Sequence, residues 1–225
     1  MRLFDSRPYP LSTPEDPRRL RHAARRFAET LRGDSDQPDR AFDRFLQEPF
    51  RVVSPHYWSP LVAAKRAAQW LDEAGVESVV DIGSGVGKFC VAGAIFGRCR
   101  FVGLEQRPFL VDAARRLAHL FEVHDRVRFA LGSLGEVPTP TAEAYYFFNP
   151  FGEYSFGSDP LEERVSMDRN ARDVAAAEQL LHAVPVGTWV LTFNGFGGRM
   201  PPGYDLIKID WTLPSVLRLW HKGRT

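Results

Sequence analysis

The stretch Val79–Cys90, VVDIGSGVGKFC, restricts this chain more than any other. Glycines stand at every second position, 83, 85 and 87, straight after an apolar run and an aspartate. Glycine costs backbone entropy on folding and is used where the chain must take a left-handed turn or let another group approach closely. Three in alternation exceed what a simple turn needs. The flanks read as a buried strand, ESVVDIG, and a helix, GKFCVAGAIFG, with Gly97 closing it.

That strand–loop–helix unit begins an alternating series. PLVAAKRAAQWLDEAG before it is a helix closed by Gly75. After it come a strand, CRFVGLEQ, a helix opened by Pro108, and strands RVRFALGS and AEAYYFFNPF. The helix DVAAAEQLLHAV and strands GTWVLTFNG, YDLIKIDW and SVLRLWHKG complete the chain. Strands alternating with helices predict a doubly wound α/β sheet, mostly parallel, covered by helices on both faces. The last two strands follow without a helix, so an antiparallel C-terminal strand is expected. Residues 1–60 differ. Leu20, Ala23, Ala24, Phe27 and Leu31 recur at helical spacing behind a candidate N-cap at Ser12 or Thr13, and DRAFDRFLQEPF gives a second helix. They predict an N-terminal helical subdomain or lid, with the arginines of residues 18–26 as a solvated face, and 61–225 as the main domain.

Composition removes several function classes. The net charge is +1, which argues against a duplex nucleic-acid or membrane surface. No run of about 18 apolar residues occurs. Cys90 and Cys99 fall within apparent core elements, as expected of a reduced, cytoplasmic, soluble chain. The six histidines lack metal-ligand spacing, so no metal is expected. There is no Gly-x-Ser-x-Gly elbow.

The loop itself fits some ligands poorly. A phosphate loop needs a hydroxyl after its lysine, but Phe89 follows Lys88. A dinucleotide loop needs a third glycine where Lys88 stands. Asp81 at the strand's carboxyl end would repel a pyrophosphate and favours a cationic group. Glu105 ends the next strand, 18 residues after Gly87, where an acid can accept both hydroxyls of a ribose. A nucleoside carrying an amino acid satisfies both acids, and S-adenosylmethionine is such a molecule. At this point VVDIGSGVGKF and FVGLEQ resemble the first two motifs of class I S-adenosylmethionine-dependent methyltransferases. DIGSGVGK is also similar to the loop of the non-SET lysine methyltransferases. The resemblance covers roughly residues 60–225. It implies a seven-stranded Rossmann-like sheet whose last strand is antiparallel. It implies Asp81, Gly83, Ser84, Gly85 and Gly87 near the methionine part, and Glu105 with Gln106 near the ribose. Many members place an acid after the third strand for the adenine amine. Here Gly132-Ser133-Leu134 stands there, so Ser133 is the expected acceptor.

The acceptor side is expected beyond the fourth strand, YYFFNPFGEYSF, in which seven of twelve residues are aromatic. In open α/β sheets the ligand crevice lies at the carboxyl ends of the strands. Asn149-Pro150-Phe151 resembles the Asn-Pro-Pro-Tyr/Phe motif of amino-group methyltransferases, one proline short. An Asn carbonyl and a backbone carbonyl can take hydrogen bonds from an amine and aim its lone pair. This implies Asn149, Pro150 and Phe151 as catalytic residues, with Asn149 also near the cofactor. Tyr57, Trp58 and Tyr154 are candidate substrate contacts. The expectation is methyl transfer to an amino nitrogen of a protein lysine or a small molecule. An oxygen methyltransferase and a non-catalytic nucleoside-binding or assembly module are the alternatives.

Overall fold

A computed structural model describes residues 16–33, 36–148 and 160–224, with 160–169 described as helical backbone. Seven strands form one sheet in the order β3-β2-β1-β4-β5-β7-β6. They are β1 (Ser78–Ile82), β2 (Arg100–Glu105), β3 (Val127–Leu131), β4 (Ala144–Phe148), β5 (Trp189–Phe193), β6 (Tyr204–Asp210) and β7 (Leu217–Lys222). β1 to β5 are mutually parallel, and β7 runs antiparallel between β5 and β6. This is the expected doubly wound architecture with an antiparallel C-terminal strand, the Rossmann-like methyltransferase fold.

Helices α1 (Pro17–Arg32), α2 (Asp39–Asp43), α3 (Glu48–Tyr57), α4 (Leu61–Glu73), α5 (Lys88–Phe96) and α6 (Pro108–Leu120) precede α7 (Pro160–Ala183). α1 starts later than Ser12 or Thr13. Asp16 caps it by accepting the Arg18 N–H at 3.0 Å, and Pro17 sits in the first turn, where a missing N–H costs nothing. α3 occupies a segment expected only to carry aromatics. α7 begins 13 residues before Asp173, where apolar periodicity starts, because Glu- and Arg-rich sequence continues a helix without an apolar stripe.

α5 is buried at eight of its nine positions. A helix apolar on all sides must be covered on all sides. The sheet covers one side of α5, and α1, α4 and α6 pack on the others. Ala24, Phe27 and Leu31 of α1 and Phe42 therefore share one buried cluster with Val79, Phe101 and Leu191 of the sheet. The opposite face is covered differently. Ala177 and Leu181 of α7 pack on Val80, Ile82 and Leu104. The β3–β4 connection, residues 132–143, holds no helix, and among the described residues α7 is the helix of that face.

Candidate functional site

The glycine loop answers the question its spacing raises. Gly83, Gly85 and Gly87 have φ of 75°, 56° and 75°, all left-handed. Contact adds a second constraint. A Cβ on Gly85 would lie 2.3 Å from Trp58 Nε1, and one on Gly87 would lie 2.4 Å from the Phe129 ring. Space and backbone both demand glycine there. The Gly83 and Ser84 N–H groups donate to Leu104 O at 2.9 and 3.1 Å, binding the loop to the end of β2. The Ser84 side chain turns inward, against Gly103.

Glu105 stands beside this loop at the carboxyl end of β2. It is 4% exposed. Its Oε2 accepts the Gly85 N–H at 3.0 Å, and its Oε1 accepts the Arg107 N–H at 2.9 Å. The Arg107 guanidinium lies 3.8 Å away. The burial has a simple cause: the loop folds back over the end of β2 and its Gly85 amide donates to the acid.

Asp81 sits under the loop on the α5 side, 3% exposed, and its Oδ2 accepts the Cys90 thiol at 3.3 Å. Burial, opposed in part by the Cys90 hydrogen bond and reinforced by nearby Glu105, raises its pKa to about 7. The same burial keeps Cys90 a thiol. Because the folded value exceeds the unfolded value of 3.8, the Asp81 contribution to stability is complete below about pH 4 and is lost as pH rises through about 7. Asp81→Asn removes this dependence. The variant is expected to be more stable than wild type at pH 8, by on the order of 2–4 kcal/mol, and nearly equal to it at pH 4. Melting curves of both proteins across that range test this, and a pH-independent difference would contradict it.

A cleft opens at the carboxyl ends of β1, β2 and β3. Of the expected cofactor residues, Gly83, Glu105, Gln106 and Ser133 line it together. Ser133 Oγ lies 3.4 Å from Gln106 Oε1. Asp81, Ser84, Gly85 and Gly87 lie in or under the loop that bounds it. Trp58 is buried with its indole on Gly85, edge-on to Phe50 at 6.1 Å between centroids, and Tyr57 is half-buried. Asn149, Pro150, Phe151 and Tyr154 lie outside the described residues.

Two features escaped the sequence reading. Lys88, directly after the loop, is 1% exposed and points toward the N-terminal helices. Its Nζ lies 2.7 Å from Asp39 Oδ1, 2.8 Å from Asp43 Oδ1 and 3.1 Å from Ser54 Oγ. A lysine inside a helix otherwise apolar all round was the available signal, since such a charge requires buried partners. The other feature is Asp173 of α7, which lines the cleft beside Ser133 and Leu134. Its sequence context carries no such signal. Among the described residues, no group of three or more His, Cys, Asp or Glu is placed to hold a metal ion. Among them, no helix is long and apolar enough to cross a membrane.

No family model and no curated protein matches the sequence. Among solved structures the chain is similar to an RNA methyltransferase from Salinibacter ruber in complex with S-adenosyl-L-homocysteine, with TM-score 0.51 and 22% identity over 72% of this chain and 93% of that one. It is also similar to the mitomycin 7-O-methyltransferase MmcR, with TM-score 0.54 and 17% identity over 93% of this chain and 61% of that one. A third is MtNAS in complex with MTA and tNA, with TM-score 0.52 and 16% identity over 90% of this chain and 71% of that one. At these identities the likeness is one of fold. It agrees with the strand order and the antiparallel β7 in defining a class I methyltransferase fold.

Proposed function

We propose that the chain is an S-adenosylmethionine-dependent methyltransferase that methylates an amino nitrogen, of a protein lysine or of a small amine. The observation that carries this reading is the juxtaposition of Glu105 with the left-handed glycine loop at the mouth of the strand-end cleft. A carboxylate at the end of β2 suits two ribose hydroxyls and opposes a pyrophosphate. Gly83, which lines the cleft without a Cβ, lets the amino-acid part of the ligand approach the backbone. Asp81 beneath the loop provides negative potential for that part's ammonium group. Gln106 and Ser133 are polar groups for the base. The cofactor, when bound, supplies a methyl group on a positively charged sulfur.

On the acceptor side, the carbonyl oxygens of Asn149 and of the adjoining backbone take hydrogen bonds from the amine and point its lone pair at that methyl. Phe151 and Tyr154 hold the acceptor against an aromatic wall, which suits a cationic or flat group. Tyr57 of α3 is a substrate contact in this reading, and Trp58 buttresses the loop. In this reading the 1–60 region, with α1 to α3, is a helical subdomain or lid, and residues 61–225 are the catalytic domain.

Calorimetry should detect S-adenosylhomocysteine binding and none of NAD, ATP or GTP. Incubation of cell extract with methyl-labelled cofactor should yield a labelled product carrying the methyl on nitrogen. Asn149→Ala is expected to lower turnover about 100-fold with nearly unchanged cofactor affinity, since misplacing a nucleophile costs about that factor. Tight NAD binding without a response to S-adenosylhomocysteine would refute the reading.

A further inference from the structure

The purine end of the cleft has an acid that does not come from the third strand. The β3–β4 connection lacks a helix, so α7 packs directly beside it: a Cβ on Gly135 would meet the Ala176 Cβ at 3.0 Å. Ala177, one position on, is fully buried against the sheet. Asp173 precedes Ala177 by four residues, about one helical turn, and so lies on the same face of α7. That turn brings Asp173 to the lining of the cleft, with Gln106, Ser133 and Leu134. Glu105 and Asp173 are the two acids lining the cleft among the described residues.

These two acids divide by position. Glu105 sits at the loop, where the ribose belongs. Asp173 sits across the end of β3, beyond it. We infer that Asp173 accepts a hydrogen bond from the exocyclic amine of the cofactor's adenine and so selects adenine over a purine with a carbonyl at that position. The inference rests on the methyltransferase reading above. An exocyclic amine donates two hydrogen bonds and accepts none, and a carboxylate accepts about four, so this one adds to those Asp173 already has. A carbonyl in the amine's place would face the carboxylate oxygen to oxygen, and a site built for a donor rejects such an analogue. α7 thus supplies the acid that Gly132-Ser133-Leu134 lacks.

The test compares S-adenosylhomocysteine with S-inosylhomocysteine, which carries a carbonyl for the amine, by calorimetry on the full chain. Wild type should prefer the adenosyl ligand by about 10- to 100-fold, the worth of one charged hydrogen bond. Asp173→Ala should weaken the adenosyl ligand by a similar factor, leave the inosyl ligand unchanged or improved, and so erase the preference. Alanine favours helix, so α7 should persist, which melting temperatures will verify. Asp173→Asn, which offers an amide donor to the carbonyl, should narrow the preference without truncating the side chain. Equal affinities in wild type, or a full preference retained in both variants, would overturn the inference and leave the methyltransferase reading intact. Failure of wild type to bind S-adenosylhomocysteine would overturn both.

Discussion

Replacing Lys88 with alanine is expected to destabilise the chain by about 3–5 kcal/mol and to lower its melting temperature by roughly 6–20 °C. The ammonium ion-pairs with Asp39 and Asp43 and donates a hydrogen bond to Ser54 Oγ. Asp43 is the partner that decides the size of the effect. Its side chain is 4% exposed, so without Lys88 it is a buried charge with its counter-ion gone. Asp39 is 36% exposed and can turn to water, though its Oδ1 also accepts the first amide of α4, Leu61 N–H, at 2.9 Å. A cluster that joins α2 and α3 to the start of α5 should therefore fail as a unit. Lys88→Met combined with Asp43→Asn should recover much of the loss, because removing both charges of a buried pair costs far less than removing one. Urea unfolding of both variants beside wild type would check this. A loss below about 1 kcal/mol for Lys88→Ala would mean that the N-terminal helices are held by apolar packing alone.

Glu105→Ala is expected to weaken S-adenosylhomocysteine binding by about 30- to 1000-fold, the loss of two charged hydrogen bonds partly replaced by water. It should also lower stability without ligand, by about 1–3 kcal/mol, because the Gly85 and Arg107 N–H groups lose their acceptor. Glu105→Gln keeps one carbonyl oxygen and should fall between wild type and alanine in both respects. The two losses separate experimentally. Titration calorimetry reports affinity on the folded fraction, and denaturant midpoints in ligand-free buffer report the anchor. If Glu105→Ala bound the ligand like wild type while losing stability, the carboxylate would serve the loop and the ribose would be held elsewhere.

The different fates of Glu105 and Lys88 show where sequence reasoning reaches. Both are charged residues adjoining a glycine loop. The place of Glu105 was legible because it follows from a local rule: a strand ends, and its last side chain lies at the crevice. Its burial was not, since that depends on Gly85 folding back from 20 residues earlier in the chain. Lys88 was legible as a departure from the dinucleotide-loop pattern and no further, for its partners lie 34 to 49 residues away on other helices. The extent of α7 was also missed. Apolar periodicity marks where a helix touches a core, and the first turns of α7 carry no such stripe.

The sequence by itself determined the element order, the strand–loop–helix turn and the need for glycine at 83, 85 and 87. Each depends on backbone conformation or on apolar period within a few residues, and such preferences act before the chain folds. The tertiary structure alone decided which charges meet. Asp43 with Lys88, Trp58 on Gly85 and Asp173 at the cleft join segments that the sheet's parallel crossovers bring together. Those contacts form only once the sheet order places them, because a charge or ring on one helix has no local preference for a partner on another.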